Sequence, residues 1–380
     1  MIKNKIWLSA PHMGGGEQKY IQEAFDTNWI APVGANIDCF ESNLENYLGS
    51  GYVAALNSGT AAIHLGLILL GVQAGDEVLC QSLTFSASAN PILYQGAVPV
   101  FIDSEADTWN LCPIALEEAI VDRISKGVTP KAIIAVHLYG IPYKIDEIRA
   151  IADSYSIPIL EDSAEALGSS YKGKRCGTFG DVGTLSFNGS KIITTSAGGA
   201  IITSTKELKD KAVFLATQAK EKAPNYEHCE VGYNYRMSNV LAGIGRGQME
   251  VLDEHVKARR RMHDFYVDLF QDINGVKVYT VPNMEFYANY WLTTILVDPQ
   301  KTYGITNEKV RLFLKNNNVE SRPLWKPMHL QPIHSGCLYF GGTTAETLYN
   351  TGLCLPSGSN LSENDCNSIR FAILKLFKHN

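Results

Sequence analysis

Between residues 53 and 203 the chain alternates between two patterns of apolar and polar positions. Short apolar runs rich in β-branched residues end in small or polar residues. Each is followed by a longer stretch with apolar positions three and four apart, the spacing of one helix face. "VAAL" (53–56) leads into "NSGTAAIHLGLILLG", and "DEVLCQ" (76–81) into "TFSASANPILYQ". "VPVFID" (98–103) precedes "CPIALEEAIVDRI", where Pro113 suits a first helical turn. "KAIIAVHLYG" precedes "KIDEIRAIADSY", and "IPILED" (157–162) leads into "SAEALGS", expected as a further amphipathic segment. Strand, loop and helix in repetition predict a mainly parallel sheet with helices on both faces. In such sheets ligands gather at the carboxyl ends of the strands.

The pattern then changes. "VGTLSF" and "GGAIITS" read as two strands close in sequence, with Lys191 between them. From Met237 to about Phe270, residues Val240, Leu241, Ile244, Val251, Leu252 and Val256 keep helical spacing. They predict one long helix, a spine between two domains. "YWLTTILVD", a helix near 305–316, "VESRPLW" and a final helix near 361–378 make a smaller α+β unit. The expected division is a large domain over 1–250, including the N-terminal segment, and a small domain over 251–380. No internal repeat and no low-complexity segment interrupts this plan.

Composition narrows the class. Of 380 residues 45% are hydrophobic and 19% charged, which is ordinary for a globular chain. The formal charge of −6 argues against a nucleic-acid surface. Eight cysteines (39, 80, 112, 176, 229, 337, 354 and 366) are scattered without a C-x-x-C pair. They read as reduced thiols of a cytoplasmic protein rather than a disulfide framework or a zinc site. The first residues lack the apolar core of a signal peptide, and no run of 18 apolar residues occurs. His329 and His334 are five apart, the wrong spacing for one helical face, so no metal site is expected.

Three stretches carry chemistry. Asn57-Ser58-Gly59-Thr60 ends a strand and opens a helix. Free N–H groups there bind phosphate, although Ser and Thr cap many helices without a ligand. Glu161 and Asp162 end an apolar strand, where a carboxylate needs a cation or a helix to cap. Pyridoxal phosphate requires such an acid beside its protonated ring nitrogen. Lys191, among small and β-branched neighbours, suits a Schiff-base amine. No acid stands near it in sequence, and a close carboxylate would favour the unreactive ammonium form. Phe85 either covers a ring or packs in the core.

"NSGTAAIHL", "EDSAEALGS", "GTFGDVGTLSFNGSKIITT" and "GYNYRMSN" resemble the DegT/DnrJ/EryC1/StrS family of sugar-nucleotide aminotransferases. The likeness runs from "SAPHMGGGEQKYI" to "CLPSGSN". It implies fold type I of the pyridoxal-phosphate enzymes, the aspartate-aminotransferase plan. "WIAP" and "SRPLWKPMH" look like the branch that aminates C4 of a UDP-linked 4-keto-6-deoxy-N-acetylhexosamine on the way to N-acetylbacillosamine.

By resemblance, Lys191 holds the cofactor as a Schiff base and shuttles protons, and Asp162 bonds the ring nitrogen. Gly59, Thr60 and Ser186 bind the phosphate, and Phe85 stacks on the ring. Asn234 reaches the phosphate of a neighbouring subunit, so a homodimer shares its sites; its bland alternative is a turn or cap residue. The donor is L-glutamate. His12, Trp29, Arg322, Trp325 and His329 are expected around the sugar nucleotide.

Some positions depart from the family pattern. Glu165 stands where many relatives carry Gln, and an ionised glutamate cannot donate to the cofactor's phenolic oxygen. Tyr290 precedes Trp291 where relatives often have Arg. Lys191 argues against a dehydratase of the same family, which carries His there. "HMGGGE" lacks the spacing of a dinucleotide fingerprint, which argues against a dehydrogenase. An intact set of Lys, Asp and Ser/Thr argues against a non-catalytic regulatory relative.

Overall fold

The computed structural model describes residues 5–378. Its main sheet has eight strands in the order Tyr52–Leu56, Gly199–Thr203, Val182–Ser186, Ile159–Asp162, Ala132–Val136, Glu77–Gln81, Val98–Ile102 and Tyr339–Phe340. Gly199–Thr203 runs antiparallel to both of its neighbours, and the other pairings are parallel. Central strands such as Ala132–Val136 are buried at every position. That explains their unbroken apolar runs, since helices cover both faces of a parallel sheet. The last strand shows that residues beyond 251 also contribute to the large sheet.

The predicted helices form where their ends are chemically marked. Ser58 caps Gly59–Leu69, its Oγ accepting the Ala61 N–H at 3.0 Å. Pro113 opens Pro113–Ser125. A second, four-stranded antiparallel sheet (Val276–Val278, Thr293–Val297, Gly352–Leu355, Arg322–Pro323) lies near Asn307–Asn316 and Glu363–Lys378. Its core joins Met262, Tyr266, Val310, Leu314 and Ile369.

Two expectations are corrected. The spine is not one helix but two, Asn239–Glu250 and Leu252–Phe270, broken at Val251 with φ −115° and ψ 6°. The halves serve different surroundings. Asn239–Glu250 packs on Glu17–Asp26 and Ala35–Leu48, where Gly243 and Gly247 let backbones approach. Leu252–Phe270 turns to the second sheet's core through Met262 and Tyr266. "SAEALGS" forms a chain of turns, not a helix. The carbonyls of Glu165 and Leu167 accept instead from Asn289 Nδ2, at 2.9 and 2.8 Å. Among the described residues no helix is long and apolar enough to cross a membrane.

Candidate active site

Strand ends and helix starts converge on one cavity lined by Ser58, Gly59, Thr60, Thr84, Phe85, Ser88, Asp162, Glu165, Ser186 and Lys191. Its floor is the start of Gly59–Leu69. Ser58 takes the Ala61 N–H with its side chain and the Ala62 N–H with its carbonyl. The N–H groups of Gly59 and Thr60 have no intrahelical acceptor at such an end. Small residues press the neighbouring strands against this turn. A Cβ on Gly59 would stand 2.9 Å from Ser186 Cβ, and one on Gly199 would run into the Ser58–Gly59 peptide. The result is a tight cradle of backbone donors at the positive end of a helix, suited to an anion.

Asp162 faces this cradle from the end of its strand and is buried. Its Oδ2 accepts from Ser88 Oγ at 2.7 Å and its Oδ1 from the Ala164 N–H at 3.1 Å. Ser88 is held in turn by Thr84 Oγ1 at 2.8 Å. Glu161, one residue earlier, points to the other face and plays a separate part. It accepts from Gly177, Phe179 and Gly180 N–H groups at 2.6, 2.6 and 2.8 Å and from His137 Nε2 at 2.7 Å. Burial alone would raise its pKa, but His137 and these donors bring it below the ordinary carboxylate value. Glu161 is thus a buried fastening for the loop after residue 176.

Lys191 lies on the loop between the antiparallel strands Val182–Ser186 and Gly199–Thr203. Its Nζ sits 4.1 Å above the centre of the Trp291 ring. It also lies 3.3 Å from Glu165 Oε1. This corrects an expectation: the sequence around Lys191 holds no acid, but the fold brings one from 26 residues away. Glu165 is held by a hydrogen bond from the Tyr139 N–H to Oε2 at 2.7 Å. Its pKa is raised, burial being the largest cause and outweighing the opposing effect of Lys191. A carboxyl so placed is readily protonated and can then donate, the condition set by the departure from Gln. Gly140, at φ 88°, makes this geometry possible, because any Cβ there would overlap Asn289 Oδ1.

Gly59, Thr60, Phe85, Asp162, Glu165, Ser186 and Lys191 therefore share one cavity, and the remaining expected residues stand elsewhere. Asn234 does not line it; its side chain is exposed and its carbonyl accepts from Asn57 Nδ2 at 3.1 Å. Arg322 and Trp325 line a broader apolar cleft with Trp7, Ser190 and Trp291, next to Lys191. The Trp325 ring is 5.3 Å from that of Phe85. His12 stacks on His255 at 4.7 Å, and burial lowers its pKa. Trp29 is exposed. His329 is tied to Ser82 Oγ at 2.7 Å and stacks on Tyr339. Sequence patterns gave no role to Ser88, Tyr139, Asn289 or Trp291. Their parts are set by contacts 26 to 124 residues apart, which no local signal carries.

An amine and a buried carboxylate line one cavity with a helix N-terminus, at the carboxyl ends of a parallel sheet, an arrangement that suits an anionic ligand with an electrophilic carbon. The comparisons agree. Residues 11–373 match the model of the DegT/DnrJ/EryC1/StrS aminotransferase family, and the chain belongs to that family. It is 49% identical to EpsN of Bacillus subtilis (strain 168), assigned by name to the pyridoxal phosphate-dependent aminotransferases, over 99% of this chain and 97% of that one. It is 37% identical to GDP-perosamine synthase of Caulobacter vibrioides, over 97% of each chain. A crystal structure of a family aminotransferase from Brucella abortus superposes with a TM-score of 0.88 at 29% identity, over 95% of each chain.

Proposed function

We propose that the chain transfers an amino group from L-glutamate to C4 of a UDP-linked 4-keto-6-deoxy-N-acetylhexosamine. The chain is a sugar aminotransferase of its family that uses pyridoxal phosphate. The observation that carries the proposal is the Lys191 amine and the Asp162 carboxylate in one cavity with the Gly59–Leu69 helix start.

When bound, the cofactor supplies a carbonyl for covalent attachment and an electron sink for the donor's α-carbon. The residues present fit it. The backbone donors at Gly59 and Thr60, with the Ser186 hydroxyl, suit its phosphate. Asp162, fixed by Ser88 and Ala164, suits its cationic nitrogen. Phe85 is half-exposed at the cavity mouth, free to cover a ring. Lys191 is the tether and the proton carrier. As a neutral amine it takes the proton from the donor's α-carbon, and the ammonium so formed releases it again inside the cavity. Glu165 Oε1 lies 3.3 Å from Nζ, and the Trp291 face supports the ammonium's charge.

The cleft that adjoins Lys191 supports a nucleotide-linked acceptor. It joins aromatic faces (Trp7, Trp291, Trp325), which suit a base, to the cations Lys326 and Arg322, the latter paired with Glu320 at 2.8 Å. Exposed Asn234 supports the proposal that two copies complete each site. A second substrate, a GDP-linked keto sugar, is favoured by the relatives named GDP-perosamine synthase. A coupled assay with L-glutamate against UDP-, dTDP- and GDP-linked 4-keto-6-deoxy sugars decides between them. Turnover confined to the GDP compound would replace the first proposal with the second. Lys191→Ala should abolish turnover with every acceptor.

A further inference from the structure

The Lys191 loop belongs to no helix or strand: residues 190–193 form turns and bends. Backbone carbonyls that leave a sheet need partners elsewhere. Here they come from the Leu252–Phe270 helix. Arg259 is 1% exposed, and its guanidinium is surrounded by oxygen acceptors of four separate segments. Nη1 donates to the Trp291 carbonyl at 2.6 Å and the Ser357 carbonyl at 3.2 Å. Nη2 donates to Ser9 Oγ at 3.0 Å and the Lys191 carbonyl at 3.3 Å. One turn earlier, His255 Nδ1 lies 3.3 Å from the Ile192 carbonyl. Burial holds the His255 pKa down to about 4, so the ring is neutral and Nδ1 carries the proton it shares with that carbonyl.

Two features separate Arg259 from a structural ion pair. No carboxylate lies within ion-pair distance of it among the described residues. Its charge is met by three carbonyls and one hydroxyl, all neutral, an expensive arrangement for a buried cation. Its two bonded ends also divide by target. Nη2 holds the backbone of Lys191, and Nη1 holds the backbone of Trp291, whose ring lies under the Lys191 ammonium. One planar group therefore ties the two backbones together, beside the direct bond from Trp291 Nε1 to the Ser190 carbonyl at 2.6 Å. A lysine carries its three donors on one nitrogen and lacks the two separately placed NH₂ groups that reach the two carbonyls here.

We propose that Arg259 is a positioning residue for the reacting amine: by bridging the Lys191 and Trp291 carbonyls from the Leu252–Phe270 helix, it aims Nζ into the cavity. This rests on the assignment of Lys191 as the reacting amine, which Lys191→Ala tests separately. Arg259 touches no reacting atom and acts through Lys191.

The test compares Arg259→Lys, Ser9→Ala and a control, Arg123→Lys, whose arginine pairs with Glu77 in the large domain. Two rates are measured. One is covalent attachment of pyridoxal phosphate to Lys191. The other is labelling of Lys191 in cofactor-free protein by an amine-selective acylating reagent, read by peptide mass spectrometry. Both are normalised to the folded fraction from thermal unfolding. Arg259→Lys should slow attachment about tenfold and change Lys191 labelling, with kcat lowered and KM for the sugar nucleotide unchanged. Ser9→Ala, which removes one partner of Nη2 together with the Ser9 Oγ bond to the Ser190 carbonyl at 2.6 Å, should slow attachment about twofold. The control should match the parent. Attachment and labelling at the parent rate in both test variants overturn the proposal. So does a deficit that vanishes on normalisation, since Arg259 would then serve the fold alone. If Arg259→Lys fails to fold, Arg259→Gln, which leaves the Ser9 bond to the Ser190 carbonyl in place, decides by the same two rates.

Discussion

Replacing Asp162 by Asn separates charge from shape at the centre of the site. The carboxylate has two partners, Ser88 Oγ at 2.7 Å and the Ala164 N–H at 3.1 Å. An amide of the same outline keeps its oxygen on Ala164 and turns its NH₂ toward Ser88. The Ser88 hydroxyl then reverses and donates to Thr84 Oγ1, already 2.8 Å away. The Thr84 hydroxyl gives up its acceptor in this exchange, so the fold should lose about 1 kcal/mol, the worth of one hydrogen bond. The cofactor's cationic nitrogen loses its counter-charge altogether. Breaking one side of a buried ion pair costs about 3–5 kcal/mol, or roughly 10²–10⁴ in kcat/KM at 1.36 kcal/mol per tenfold. The measurements are kcat/KM with saturating amino donor, urea unfolding of cofactor-free protein, and cofactor retention on dialysis. Activity within about tenfold of the parent would mean that no cation meets Asp162. A loss of stability as large as the loss of activity would mean that the carboxylate serves the fold.

Two further outcomes are expected. Glu165→Gln removes a carboxyl whose folded pKa is raised by burial. Such a group stabilises the fold most below its unfolded value, about 4.3, and loses that contribution as pH rises through its folded value. The variant should gain stability relative to the parent over that rise, in urea midpoints from about pH 4 upward; a constant difference across the series would contradict the raised pKa. Gly199→Ala sets a methyl against the Ser58–Gly59 peptide. It should destabilise by about 1–3 kcal/mol and weaken cofactor retention, so normal retention on dialysis would show that the cradle does not hold the phosphate.

Much of the eight-stranded sheet and its helices was legible because the central strands are buried on both faces and the helices carry marked ends. Apolar runs such as "AIIAV" and the caps at Ser58 and Pro113 are local facts, and they placed Asp162 and Lys191 at loop and strand ends. The break at Val251 was not legible, because the apolar spacing continues through it. What separates the halves is the choice of two different cores. The turns of "SAEALGS" were missed for a related reason. Alanine, glutamate and leucine favour a helix, but Asn289, more than a hundred residues away, takes the carbonyls that a helix would need. The carboxylate beside Lys191 was hidden in the same way. A sequence shows which groups are adjacent in the chain, and Glu165 becomes adjacent only when the turns and Gly140 fold.

The antiparallel placement of Gly199–Thr203 has one more consequence. Ser186 and Gly199 are register partners, and the Phe187 N–H bonds the Gly198 carbonyl at 2.9 Å. The segment that carries Lys191 therefore leaves the sheet and re-enters it at neighbouring points. A segment with such close ends can be exchanged between proteins as a unit, because the sheet registers only where it departs and returns. The helix that grips its carbonyls from outside does not travel with it. A transplanted loop would leave behind Arg259 and His255, and its Lys191 and Ile192 carbonyls would need new partners in the host.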